Sequence, residues 1–113
     1  MNSAKINLMI PMFYLYDIES LDEALFTDES SEYLKNTYDL KSRLDIYSNL
    51  EWAELNPNFP FESIMDNAPV VGKLKFSNEE VHQYLMSFKA FMENEDFKLL
   101  TDDREPRNLE DFI

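Results

Sequence analysis

Six apolar residues set three and four apart, Val81, Tyr84, Leu85, Phe88, Phe91 and Met92, constrain this chain more than any other feature. That interval is the repeat of an α-helix with one buried face, and it predicts a helix from Ser77 to about Glu95. Its start is marked as well: Ser77 is placed to cap, Glu80 three residues on to reach back, and Phe76 to staple onto Val81. A stripe of this kind needs other apolar faces to pack against.

Those faces are present upstream. Ser20-Leu21-Asp22-Glu23 has the same cap form ahead of Ala24, Leu25 and Phe26, and predicts a short helix. Tyr33, Leu34, Tyr38, Leu40, Leu44, Tyr47 and Leu50 follow a helical spacing from about Ser30 to Asn49, broken near Asp39, with Lys35/Asp39 and Asp39/Arg43 as pairs four apart. Ser48-Asn49-Leu50-Glu51 repeats the cap form a third time. Asn56-Pro57-Asn58-Phe59-Pro60 forbids a regular element and reads as a turn pinned by Phe59 and Phe61, with one more helical turn from Phe61 to Asp66.

Three stretches read less plainly. Ile6 to Tyr16 is an apolar run containing Pro11. A single Lys5 precedes it, Asp17 and Glu19 follow it, and it is too short for the ~20 residues that span a bilayer, so it reads as a buried segment and not a signal peptide. Val70 to Phe76, which holds the only glycine, Gly72, reads as a strand or an extended connector. Residues 101–113 read as a partly ordered acidic tail. At 113 residues, with no internal repeat and no flexible linker, the chain predicts one domain. The expected fold is mainly α, a compact helical bundle with irregular connections, and the alternative is α+β with short strands near residues 6–16 and 69–76.

Charge narrows the function. The chain has 23 Asp and Glu against 10 Lys and Arg, a net charge of −13. The excess is spread along the chain: residues 1–60 hold 11 acids and 4 bases, residues 61–113 hold 12 acids and 6 bases. Such a surface repels nucleic acid and anionic lipid, so neither is an expected partner. The densest run has no base at all: Asp17, Glu19, Asp22, Glu23, Asp28, Glu29 and Glu32. Solubility is served by a net charge of about 2–8 in a small domain, and the excess opposes folding, which argues for a dedicated purpose.

Catalytic chemistry finds little to work with. With no cysteine there is no thiolate nucleophile and no sulfur-ligated metal, and the sequence fits a reducing, cytoplasmic compartment. The one histidine, His82, reads as a solvent-facing residue beside Glu79. Glu79 and His82 make one Glu-x-x-His pair, whereas a di-iron bundle needs two. A single glycine cannot build a phosphate-binding loop, and Asp96 to Glu105 does not make a calcium loop, which needs alternating oxygen ligands around a mandatory glycine. No enzymatic activity, cofactor or metal is expected.

Two purposes fit an acidic surface. Carboxylates interleaved with Tyr14, Tyr16, Phe26 and Tyr33 complement the basic groove of a nuclease or similar toxin. Alternatively, carboxylates spaced along helices imitate the phosphate row of DNA and occupy a DNA-binding enzyme, as a phage or mobile-element inhibitor would.

One stretch also carries a family resemblance. Glu51-Trp52-Ala53-Glu54-Leu55-Asn56-Pro57-Asn58-Phe59-Pro60-Phe61-Glu62, with Asn67-Ala68-Pro69 and Phe76-Ser77-Asn78-Glu79-Glu80-Val81, resembles immunity proteins of bacterial contact-dependent growth inhibition systems, over less than half the chain. The resemblance implies a small cytosolic protein that neutralises a toxin domain, commonly a ribonuclease or deoxyribonuclease, by blocking its active site. That family has no shared catalytic motif, and its contact residues vary with the toxin, so it implies no individual site residue. The expectation is an immunity protein or antitoxin whose partner is a cognate basic toxin. Asp17, Glu19, Asp22, Glu23, Asp28, Glu29, Glu32 and Tyr33 are the candidate partner-binding residues, and the plain alternative for each is a solvated helix face.

Overall fold

A computed structural model describes residues 8–18, 20–23, 26–67 and 76–103. These residues form four α-helices, α1 (Met9–Phe13), α2 (Asp28–Thr37), α3 (Leu40–Leu55) and α4 (Asn78–Glu93), with 3-10 segments at Tyr14–Asp17, Leu21–Glu23 and Phe61–Asn67. No strand occurs among the described residues, and the fold is mainly α.

The helix expected from the apolar stripe is α4, and the same six residues are its buried face. Its capping box is complete: Glu80 N–H donates to Ser77 Oγ at 3.2 Å, and Ser77 N–H donates to Glu80 Oε1 at 2.9 Å. α3 lies along α4 as the main helix pair, burying Ile46, Leu50 and Ala53 in the shared core. α1 and the Phe61–Asn67 segment pack on α4 as well. The Tyr84 hydroxyl donates to the Pro11 carbonyl at 2.6 Å, tying α4 to α1 inside the core.

Aromatic rings fill the ends of this core. Phe26 stacks on Phe91 at 5.0 Å and meets Phe88 edge-on at 5.8 Å, which anchors the entry to α2. Trp52, Phe59 and Phe61 meet edge to face, with Trp52–Phe59 at 4.9 Å and Phe59–Phe61 at 5.5 Å, and pin the proline-rich turn as its sequence suggests.

Several expectations change. Residues 8–16 are helical, so the first strand of the α+β alternative is overturned: Pro11 sits in the opening turn of α1, where a missing N–H costs nothing. The second stretch, residues 69–75, lies outside the described residues. The break near Asp39 is present, but α2 starts at Asp28 and α3 runs on to Leu55. Ser48-Asn49-Leu50-Glu51 begins nothing, because it lies inside α3, where Asn49 and Leu50 continue the buried face. Asp39 pairs with neither Lys35 nor Arg43 in a close ion pair; its carboxylate caps α3 by accepting from Ser42 N–H at 2.8 Å.

The start of the expected tail is folded as well. Arg43 is fully buried; its Nη1 donates to the Leu99 carbonyl at 2.6 Å, Nη2 to the Asp102 carbonyl at 2.5 Å, and Nε to the Tyr38 carbonyl at 3.1 Å. Lys98 holds a left-handed backbone with φ of 56°, and this turn carries Leu99 into the core. Residues 104–113 lie outside the described residues.

Candidate docking surface

The acidic run begins on short, irregular pieces and continues onto a regular helix. Asp22 is exposed on the Leu21–Glu23 segment. Glu19 lies outside the described residues, and the side chains of Asp17 and Glu23 are not among those described. Asp28, Glu29, Glu32 and Tyr33 all fall on α2, and all four are exposed. The structure therefore brings four of the eight candidate residues onto one helix face, with Asp22 a short distance upstream in the chain.

α2 forms as its sequence dictates. Thr27 Oγ1 accepts from Ser30 N–H at 3.3 Å, and Asp28 and Glu29 occupy the first turn, where negative charge is favoured by the helix dipole. Ser31, Leu34 and Lys35 define the buried side. A lysine there is unexpected; its side chain is 7% exposed, with Nζ 3.1 Å from Glu32 and 3.9 Å from Asp102. The one cation of α2 is thereby folded beneath the helix, and the outward face keeps its negative sign.

The phenols of Tyr14, Tyr33 and Tyr38 lie near enough to one another to interact electrostatically. Tyr33 is 53% exposed and Tyr14 is 37% exposed, whereas Tyr38 is half-buried. The ring of Tyr14 is held 6.4 Å from that of Phe88. Burial pushes the Tyr14 phenol well above the ordinary tyrosine value, and the Tyr33 and Tyr38 phenols nearby push it further. Tyr38 is raised for the same two reasons, burial first and then Tyr33. Both phenols accordingly stay protonated at neutral pH and can donate as well as accept hydrogen bonds. Phe26, expected among the contact aromatics, is instead committed to the ring cluster on α4.

His82 is placed differently from its expectation. It is half-buried, its Nε2 lies 3.1 Å from the Ala53 carbonyl, and its ring packs 5.9 Å from Phe61. It joins α4 to α3 instead of facing solvent. Elsewhere a cleft of about 340 Å³ is lined by Asn58, Pro60, Glu62, Phe76, Asn78 and Val81, a lining with one carboxylate and no histidine, lysine or arginine. Among the described residues no group of three or more His, Cys, Asp or Glu is placed to hold a metal, and no helix is long and apolar enough to cross a membrane.

Sequence reasoning missed Lys35 and Arg43 as buried cations. For Arg43 a signal existed, since it stands three residues before Ile46 and in register with the buried face that continues through Leu50 and Ala53. Compared with known proteins, the chain matches no protein-family model, no curated protein and no solved structure.

Proposed function

We propose that the chain is an immunity protein or antitoxin of the cytoplasm that neutralises a basic toxin, a ribonuclease or other nuclease domain, by covering its active site with an acidic surface. It makes and breaks no bond of its own. The observation that carries this reading is the joint exposure of Asp28, Glu29, Glu32 and Tyr33 on α2, with Lys35 withdrawn beneath them. Carboxylates around an exposed ring are the chemistry that a cationic groove recognises: charge speeds the encounter and the ring supplies buried area on docking. The net charge of −13 extends the attraction beyond the contact itself.

The test is association kinetics against cationic nuclease domains, with inhibition of nuclease activity as the second readout. The on-rate should fall steeply between low and high salt, and neutralising Asp22, Asp28, Glu29 and Glu32 together as Asn or Gln should slow it by roughly tenfold or more at low salt. Failure to inhibit any such domain, or an on-rate indifferent to ionic strength, sinks the reading.

A further inference from the structure

We propose that α2 and the strap formed by residues 94–102 are one clasped unit that opens together from the core built by α1, α3 and α4, with Arg43 of α3 as its pin. The inference goes beyond the docking reading and does not depend on it. α4 packs closely on α3 and on α1, whereas α2 has no helix partner of that extent among the described residues. The contacts that seat α2 are instead shared with the strap. Arg43 gives Nε to the Tyr38 carbonyl at the end of α2, and its Nη groups to the Leu99 and Asp102 carbonyls of the strap. Lys35, on the buried side of α2, lies 3.9 Å from the Asp102 carboxylate. The Phe91 ring carries Phe26, at the entry to α2, at 5.0 Å and Phe97 of the strap at 5.1 Å. Leu34 of α2 and Leu99 of the strap enter the same core.

The strap is built to move as a piece. Its turns are local: Phe97 N–H donates to the Asn94 carbonyl at 3.1 Å, and Thr101 and Asp102 N–H donate to the Lys98 carbonyl at 3.3 and 2.9 Å. Lys98 carries the left-handed φ of 56°, a backbone that a side chain disfavours, so the turn depends on what its neighbours hold in place. Leu99 alone of these residues is fully buried, and residues 94–96, 98 and 101 are exposed. A segment with few buried side chains opens at a lower free energy than a helix that is buried from Val81 to Met92, as α4 is. When the strap leaves, Arg43 loses the Leu99 and Asp102 carbonyls and Lys35 loses the Asp102 carboxylate, so α2 gives up supports in the same step.

The decisive experiment is native-state hydrogen exchange of the full chain, followed amide by amide at low, increasing denaturant. The amides of Lys35, Tyr38, Phe97 and Asp102 should share one opening free energy, with protection at least about tenfold below that of Leu85 in α4. Ser77→Ala weakens a part of the molecule that stays folded when the clasp opens. It should lower the protection of Leu85 about fivefold and leave the other four amides unchanged. Arg43→Lys weakens bonds that are lost in both openings, and should lower both sets by the same factor. Exchange of the four amides in step with Leu85, or an equal effect of Ser77→Ala on all of them, overturns the proposal by making the clasp part of one cooperative fold. Different opening free energies for α2 and the strap overturn it by separating the two elements. Clasp amides that keep their protection in the Arg43→Lys chain overturn it by removing the pin.

Discussion

The guanidinium of Arg43 carries a permanent charge, yet the side chain is fully buried and spends its donors on the carbonyls of Tyr38, Leu99 and Asp102. Water cannot replace those partners there, so Arg43→Met should destabilise the fold by about 3–5 kcal/mol, read from the midpoint of urea unfolding. Arg43→Lys should recover only part of that, because an ammonium cannot span three separated carbonyls as a planar fork does. The Lys89 site is a milder case: Nζ lies 2.7 Å from Glu93 and 3.5 Å from Glu54, above the Tyr47 ring, and Tyr47 donates to Glu93 at 2.6 Å. The hydrogen bond from Lys89, and then that from Tyr47, hold the Glu93 carboxyl below its ordinary 4.5. A depressed carboxyl stabilises the folded state above its unfolded pKa and loses that contribution as pH falls through the folded value. Glu93→Gln should therefore leave stability nearly unchanged at very low pH and lower it by under about 1 kcal/mol at neutral pH, since the group is half in solvent.

At the scale of elements, α4 was legible because every signal pointed the same way: an unbroken stripe, a cap and its reciprocal glutamate. Ser77→Ala removes half of that capping box and should cost about 1 kcal/mol in chemical unfolding, with the loss confined to the α4 end. α3 was harder to bound, because its buried face includes Arg43 and Asn49 and so does not read as a clean apolar stripe. The third Ser-x-x-Glu match misled for a related reason, since a cap form means something only where the preceding chain has left the helix. α1 stayed ambiguous because an apolar run without polar alternation fits a buried strand as well as a buried helix. Of the candidate surface, the exposure of Asp28, Glu29, Glu32 and Tyr33 could be read directly, because charge and α2 periodicity are local properties. The inward turn of Lys35 toward Asp102 depends on a contact far along the chain, and no local pattern carries it.

For the molecule as a whole, the imbalance of 23 acids over 10 bases is itself a load on the compact state. Screening should lighten it, so the thermal midpoint is expected to rise as salt is added from low concentration to about 0.15 M, where the Debye length is near 8 Å. Mild acidification should act in the same direction by neutralising some surface carboxylates. Below about pH 4 the trend should reverse, as Asp39 and Glu93, both held below their ordinary values by hydrogen bonds, lose their charge. Stability plotted against pH should thus peak on the acid side of neutrality, and a monotonic fall from pH 7 downward would show that repulsion is not the governing term.

The Arg43 clamp also orders events in time. Its bonds to Leu99 and Asp102 bridge 56 and 59 residues of chain. During synthesis, α2 and α3 are made well before the Leu99 and Asp102 carbonyls that accept from the guanidinium at the corner between them. Until the chain through residue 102 is available, that corner has the Tyr38 carbonyl but lacks the Leu99 and Asp102 carbonyls, so the helical hairpin stays provisional until the later segment folds back onto it.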